Sequence, residues 1–340
     1  MDFTKCELDL YKTYSGKETK KSIIYNGKSH MLKFRGEDRG KEVYSDLSEF
    51  LGCSIYKAFG LETQNVILGE YEGKDVVVCE NFLKKGEELQ EFSNFTNSYS
   101  DTVDKRYSFS EIIDTIENHP NIFDKKDVKE KFWKMYVMDA FLGNFDRHGG
   151  NWGFVVNSEE KYSKFAPIYD CGSCLYPQMS EKEMDNILKS DYEIKRRVFE
   201  FPNSQIVTNE TRTKSNYFSI INSLQYEECN EAIEWFCKNL DFDKINNIIE
   251  SVDKLSKKRK NFYKTMLKER YDYIIKPAHE KIKDLNDIRK TINDLEEKVI
   301  SKNNELRAYT EELNNKSEKI NEAEKLLEQY QNLKNNKDKE

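Results

Sequence analysis

At 340 residues the chain can hold one large domain or two smaller ones, each able to bury a core. Its 37% hydrophobic and 34% charged content is polar for a compact enzyme, so part of the chain is expected to stand outside any core. A net charge of −7 argues against a general nucleic-acid binder, no apolar run approaches the ~18 residues of a membrane span, and MDFTKCELDLYKTYSGK lacks the apolar region of a signal peptide, so a cytoplasmic protein is expected.

Residues 1–85 read as β-rich. ELDLYKT predicts a short strand and YSGKETKK a polar loop, and KSIIY and KSHMLKF flank Asn26-Gly27, a pair that suits a tight hairpin because both turn positions need φ > 0. SDLSEFLGCSIYKAFGL predicts a helix capped by Ser45 or Asp46 and ended near Gly60. VILGEY and DVVVCENFL predict a second hairpin across Glu72-Gly73-Lys74.

Residues 86–278 read as mainly helical. VKEKFWKMYVMDAFLGN sets Phe132, Tyr136, Val137, Ala140 and Phe141 on one helical face. NWGFVV and KFAPIYD predict two short strands around Asn157-Ser158, and helices follow near 180–200, 226–240 and 243–275, with FPNSQIV at 201–207 a loop.

Residues 279–340 change character. Leu285, Ile288, Ile292, Leu295, Val299, Leu306, Tyr309, Leu313, Ile320, Ala323, Leu327 and Tyr330 follow one alternating 3,4 spacing, broken only by Lys302 and Lys316. That pattern predicts a coiled coil whose lysines cost stability and set register or oligomer state; a solvated single helix is the alternative. Such a tail would hold a homo-oligomer.

The chemistry concentrates in FLGNFDRHGGNWGF, residues 141–154. Phosphoryl transfer needs phosphate-positioning groups, metal ligands and a carboxylate near the incoming hydroxyl. Asp146 and Asn151 keep the D-x-x-x-x-N spacing of protein-kinase catalytic loops, with Asp146 orienting the hydroxyl and Asn151 offering an oxygen to Mg²⁺. Asp170, at a strand end before Cys171-Gly172-Ser173, suits the second metal ligand; a pair of turn-forming Asp residues is the plainer alternative. His148 fits a loop-holding role better than a directly catalytic one. Lys33, in MLKF, follows a loop carrying Ser15, Gly16 and Lys17 and suits the α/β-phosphates, although a surface lysine would read the same way. Glu49 in the next helix is its natural partner or a solvated helix glutamate. The seven cysteines lack zinc-finger spacing, and Cys171-x-x-Cys174 reads as reduced thiols.

NFDRHGGNWGF followed by APIYDCGSCLYPQ resembles the HipA-like kinases, in particular the cell-translocating kinase A group of Helicobacter. The likeness is dense over 130–180 and traceable from DFTKCEL through the Lys33 strand, SEFLGCSIYKAFGLETQ and VVVCENF to LKERYDYIIKPAH. It implies an α+β, bilobal protein-kinase-like fold with a β-rich N-lobe, a mainly helical C-lobe and the coiled-coil helix as an addition. It implies ATP and Mg²⁺ as cofactors, Asp146 as the catalytic Asp, Asn151 and Asp170 as metal ligands, Lys33 and Glu49 as the phosphate-binding pair, and Glu80-Asn81-Phe82 as the hinge beside adenine. It also implies transfer to Ser, Thr or Tyr hydroxyls of a protein substrate and autophosphorylation, with Ser15 or Ser22 as the phosphate-loop target. No counterpart of the N-terminal subdomain of full-length HipA toxins is legible, so a DNA-bound antitoxin partner is not expected. Two other readings stay open: a lipid or small-molecule kinase, since D-R-H-x-x-N also resembles the phosphoinositide-kinase loop, and a non-catalytic pseudokinase scaffold.

Overall fold

The computed structural model describes residues 1–9, 20–96, 106–159 and 161–337. Ser15, Gly16 and Lys17 therefore lie outside the described residues. The chain divides into two compact units, Met1–Glu280 and Lys281–Glu340.

In the first unit a five-stranded sheet is formed by β1 (Glu7–Leu8), β2 (Lys20–Tyr25), β3 (Lys28–Phe34), β6 (Val66–Tyr71) and β7 (Lys74–Glu80), in the order β1-β2-β3-β7-β6. The β2–β3 hairpin turns where Asn26 and Gly27 take φ of 51° and 72°, which sets the register Lys20↔Lys33. β3 pairs antiparallel with β7, so Lys33 lies beside Val77 and His30 beside Glu80. Between β3 and β6 the chain inserts β4 (Gly36–Asp38), β5 (Lys41–Val43) and α1 (Ser45–Ala58). The small β4–β5 hairpin, turning at Arg39-Gly40, carries no apolar alternation and was not predicted. Helix α1 stops as expected, with Gly60 at φ 84°, but its cap differs from prediction. Tyr44 holds the N-cap position with no side-chain cap, while Ser45 and Asp46 fall inside the first turn. Asp46 is drawn away from capping by Arg35, which donates Nε and Nη2 to its carboxylate at 3.2 and 3.0 Å.

After β8 (Glu88–Glu91) and the one-turn α2 (Phe92–Phe95), the chain becomes helical: α3 (Phe109–Asn118) and the long α4 (Lys125–Leu142). β9 (Gly153–Asn157) and β10 (Tyr162–Phe165) pair with β8 in the order β10-β9-β8. KFAPIYD leaves the sheet after Phe165, earlier than predicted; Ile168 instead bridges to Thr63 and accepts from the Gln64 amide. Helices α5 (Glu181–Leu188), α6 (Asp191–Phe199), α7 (Tyr217–Ser223), α8 (Glu227–Asn239), α9 (Phe242–Glu250) and α10 (Lys257–Arg270) follow, then a π-helical turn at Tyr271–Ile275 and α11 (Lys276–Lys337). The predicted helices at 180–200 and 243–275 are each interrupted, at Lys189-Ser190 and at 251–256.

The helical core is aromatic. Phe109 stacks on Trp133 with ring centroids 5.4 Å apart, and Phe92 stacks on Trp152 at 4.2 Å. Phe141, Leu142, Trp152 and Phe154 are all buried, so the hydrophobic residues of the 141–154 motif anchor its polar ones. The second unit is the remainder of α11, one continuous helix with apolar residues exposed from Leu285 to Tyr330. No helix among the described residues is long and apolar enough to cross a membrane.

Candidate active site

Two elements deliver the polar residues of the motif. Helix α4 ends at Gly143, which adopts φ 66°, a conformation glycine takes at little cost and which closes the helix against the Asp139 carbonyl. Its last turn carries Asp139, 1% exposed. The Asp139 carboxylate accepts from Tyr56 Oη at 2.7 Å, Asn144 Nδ2 at 2.8 Å and Arg147 Nε at 3.0 Å. Burial raises the Asp139 carboxyl's pKa, against the pull of the Arg147 guanidinium beside it. Arg147, 2% exposed, then donates Nη1 to the carbonyls of Asn151 and Tyr169, at 2.6 and 2.5 Å. One guanidinium thus fixes loop 146–151 and the segment 169–171 that follows β10 to the same helix. Sequence reading missed this trio; an Arg flanked by Asp and His in an apolar run was the available signal.

Within the loop, Asp146 takes its position from its neighbours. Its amide donates to Asn144 Oδ1 at 3.0 Å, and its carbonyl accepts from Asn151 Nδ2 at 2.8 Å and from the His148 amide at 2.9 Å. Asn151 thus spends its Nδ2 on the loop, and among the described residues its Oδ1 accepts no hydrogen bond. His148 accepts from the Gly150 amide through Nδ1 at 3.0 Å, a contact that shapes the loop. Gln205 donates to the Phe145 carbonyl at 2.6 Å and approaches Asp146 Oδ1 at 3.5 Å. Burial raises the Asp146 pKa, countered by His148 and reinforced by the negative charge of Asp170.

The facing half is built on the sheet and α1. Lys33 Nζ, on β3, donates at 2.9 Å to both Glu49 Oε2 and Asp170 Oδ1. Lys33 and Glu49 are 6% and 0% exposed, which rules out a snorkelling lysine and a solvated helix glutamate. Burial alone would lower the ammonium's pKa, yet Asp170 and Glu49 hold it well above its ordinary value. Burial likewise works to raise the Asp170 carboxyl, but the charge and hydrogen bond of Lys33 override it and bring it down to about 2. Glu49 goes the other way, raised by burial despite Lys33. Asp170 adopts φ 56°, a left-handed conformation that aims its carboxylate back at Lys33. Behind it Cys171 contacts Arg147 Nη2 at 3.6 Å, and a Cβ on Gly52 would lie 2.5 Å from the Cys171 Cβ. Helix α1 rests on the 170–172 turn only because position 52 has no side chain.

Glu80, Asn81 and Phe82 close the β7 end of the cleft. The Glu80 amide donates to the Asn65 carbonyl, the Glu80 carbonyl accepts from Gln64 Nε2, and the Asn81 amide donates to the Ser29 carbonyl, at 2.9, 3.0 and 3.0 Å. The Glu80 carboxylate pairs with Lys28 and Asn65. Ser22 is 6% exposed on β2, with its hydroxyl 3.4 Å from the His30 carbonyl.

Comparison with known proteins places this geometry. Residues 12–259 match the HipA-like C-terminal domain. The chain belongs to that family. It is 35% identical over 293 residues to the serine/threonine-protein kinase CtkA of Helicobacter pylori, covering 84% of this chain and 90% of that protein. The crystal structure of the Helicobacter pylori proinflammatory kinase CtkA superposes with a TM-score of 0.76 at 33% identity, covering 84% of this chain and 99% of that one. The HipA-like fold, with its sheet-rich N-terminal region and helical C-terminal region, is thus the fold of this chain, and the chain is a kinase, a phosphotransferase. Among the described residues no cluster of three or more His, Cys, Asp or Glu could hold a metal by itself. An Mg²⁺ ion shared with the phosphates of a ligand would need fewer donors from the protein. Asn151 Oδ1 and the second Asp170 oxygen fit that partial donor set.

Proposed function

We propose that the chain transfers the γ-phosphate of ATP to Ser or Thr hydroxyls of protein substrates, itself included. The observation that carries the reading is Lys33 bridging Glu49 and Asp170, the latter close enough for its charge to act on Asp146. Lys33, with its charge fixed, would release Asp170 and take the α/β-phosphates, while Glu49 keeps its ammonium aimed. Asp146, its pKa raised by burial, would accept a hydrogen bond from the incoming hydroxyl and orient it for in-line attack. Asn151 and Asp170 would hold Mg²⁺, which when bound neutralises charge on the phosphates. His148 acts in this scheme by holding the loop. The backbone beyond Asn81 would receive adenine, and Ser15-Gly16-Lys17 would cover the phosphates. Ser15 is the better candidate for self-modification, since Ser22 is buried in the sheet.

The same reading divides the chain into an N-lobe at 1–85, a C-lobe at 86–278 and a coiled-coil tail at 279–340. A lipid acceptor is disfavoured by the segment after Asp170: between Cys171 and Leu188 only Lys182 is basic. The test is incubation with Mg²⁺ and γ-labelled ATP. Label is expected on protein Ser and Thr with the wild type and lost, by a factor of at least ~10³, with a folded Asp146→Ala variant. Undiminished turnover in that variant, or label found only in added lipid, would overturn the assignment.

A further inference from the structure

The tail helix α11 runs 62 residues, about 93 Å. Its seam assigns Leu285, Ile292, Val299, Leu306, Leu313, Ile320 and Leu327 to heptad position a, and Ile288, Leu295, Lys302, Tyr309, Lys316, Ala323 and Tyr330 to position d. The large hydrophobic residues of this seam are 41–68% exposed, a stripe with nothing upon it. We infer that its occupant is a second copy of the same helix, parallel and in register, forming a two-stranded coiled coil.

The flanking charges decide the orientation. In a parallel in-register pair each g residue faces the e residue five positions on. Asp284 of one copy then meets Arg289 of the other, and Lys319 meets Glu324, each contact occurring twice. The remaining g residues meet no like charge: Lys298 faces Asn303, Glu305 faces Thr310 and Glu312 faces Ser317. An antiparallel pair sets g against g. At full overlap Lys298 opposes Lys319 and Glu305 opposes Glu312, both repulsive. Sliding one heptad either way brings Glu312 against Glu312 or Glu305 against Glu305, while pairing Glu305 with Lys319 or Lys298 with Glu312. A one-heptad slip of the parallel pair breaks both attractive contacts. Within one heptad of full overlap each antiparallel alignment carries a like-charge g pair, and a two-heptad slide that removes it leaves two heptads of the stripe uncovered; the in-register parallel pair has neither fault.

Lys302 and Lys316 set the strand number. Each already reaches a g-position carboxylate on its own helix, Lys302 to Glu305 at 2.7 Å and Lys316 to Glu312 at 2.6 Å. Those are the two g glutamates left facing only Thr and Ser. A two-stranded seam is open on both sides and lets the ammoniums leave it along these paths, whereas a three- or four-stranded core would enclose them.

The test uses the full chain. Sedimentation equilibrium at micromolar concentration should give twice the 40.3 kDa chain mass, and Leu306→Glu with Leu313→Glu should return it to one. Ala323→Cys, on the seam, should form a disulfide-linked dimer in oxidised glutathione within minutes. Lys325→Cys, on the outer face, should link no more than wild type, whose own cysteines serve as the background. A monomeric wild type at tens of micromolar, a trimer or tetramer, or a dimer in which Ala323→Cys does not link, would each overturn the inference. None of these readouts depends on the acceptor of the phosphate.

Discussion

Arg147 carries more of the site than its place between Asp146 and His148 suggests. It neutralises the buried Asp139 and holds two backbone carbonyls, those of Asn151 and Tyr169. Removing one member of a buried ion pair leaves the other charged and desolvated, a loss of about 3–5 kcal/mol. Arg147→Met is therefore expected to lower unfolding stability by that amount in urea titration and to lose phosphotransferase activity even where it remains folded. Arg147→Lys should recover part of the stability and little of the activity, because one ammonium cannot span the Asp139 carboxylate and both carbonyls. A stability loss below about 1 kcal/mol in the Met variant would show that the network is dispensable. The nearness of Asp146 and Asn151 was legible from sequence: they lie five residues apart in one loop, where the Asn151 side chain donates to the Asp146 carbonyl. Asp139, Tyr56 and Arg147 were not, since their meaning lies in contacts between α1, α4 and the loop that no local pattern records.

Among elements, α1 is the one that joins the halves of the site. It presents Glu49 to Lys33, and one turn on it lies against Cys171 at Gly52. Any side chain at position 52 would meet the Cys171 Cβ at 2.5 Å, with its backbone close behind, so relief must come from moving the helix or the 170–172 turn. Gly52→Ala is expected to cost about 1–3 kcal/mol in thermal unfolding and to reduce kcat more than the KM for ATP, because Glu49 and Asp170 lose their shared alignment on Lys33. A variant with wild-type melting and kcat would show that the helix has slack. Sequence placed this helix within two residues of its bounds, from its apolar face and from Gly60. It missed the cap, because Asp46 serves Arg35, a partner eleven residues away. It also missed β4, β5 and β8, which are short, polar and held by pairing rather than by burial.

For the whole molecule, the kinase unit and the tail raise separate questions, and the tail carries its own prediction. Replacing Lys302 and Lys316 together with Leu fills two polar layers of the seam. The helix should then melt at higher temperature by circular dichroism, and species above the dimer should appear in sedimentation, since the charges that exclude further strands are gone. A lower melting temperature would mean that the lysines stabilise the seam rather than select its partner. A parallel pair would also join two HipA-like kinase units at the same ends of their helices, so that each is held at high effective concentration of the other.

The sequence by itself determined whatever depends on neighbours along the chain: the Asn-Gly hairpin that carries Lys33, the spacing of Asp146 and Asn151, and the heptad seam of the tail. Turn dihedrals, loop reach and helical periodicity are local quantities, so a string of residues records them. Only the tertiary structure decided that Lys33 bridges Glu49 and Asp170, that Arg147 ties the loop to Tyr169 beyond β10, and that Gly52 must be bare. Those contacts cross up to 137 positions of chain, and they exist because burial strips water from charged groups and leaves each only the partners that the fold brings to it.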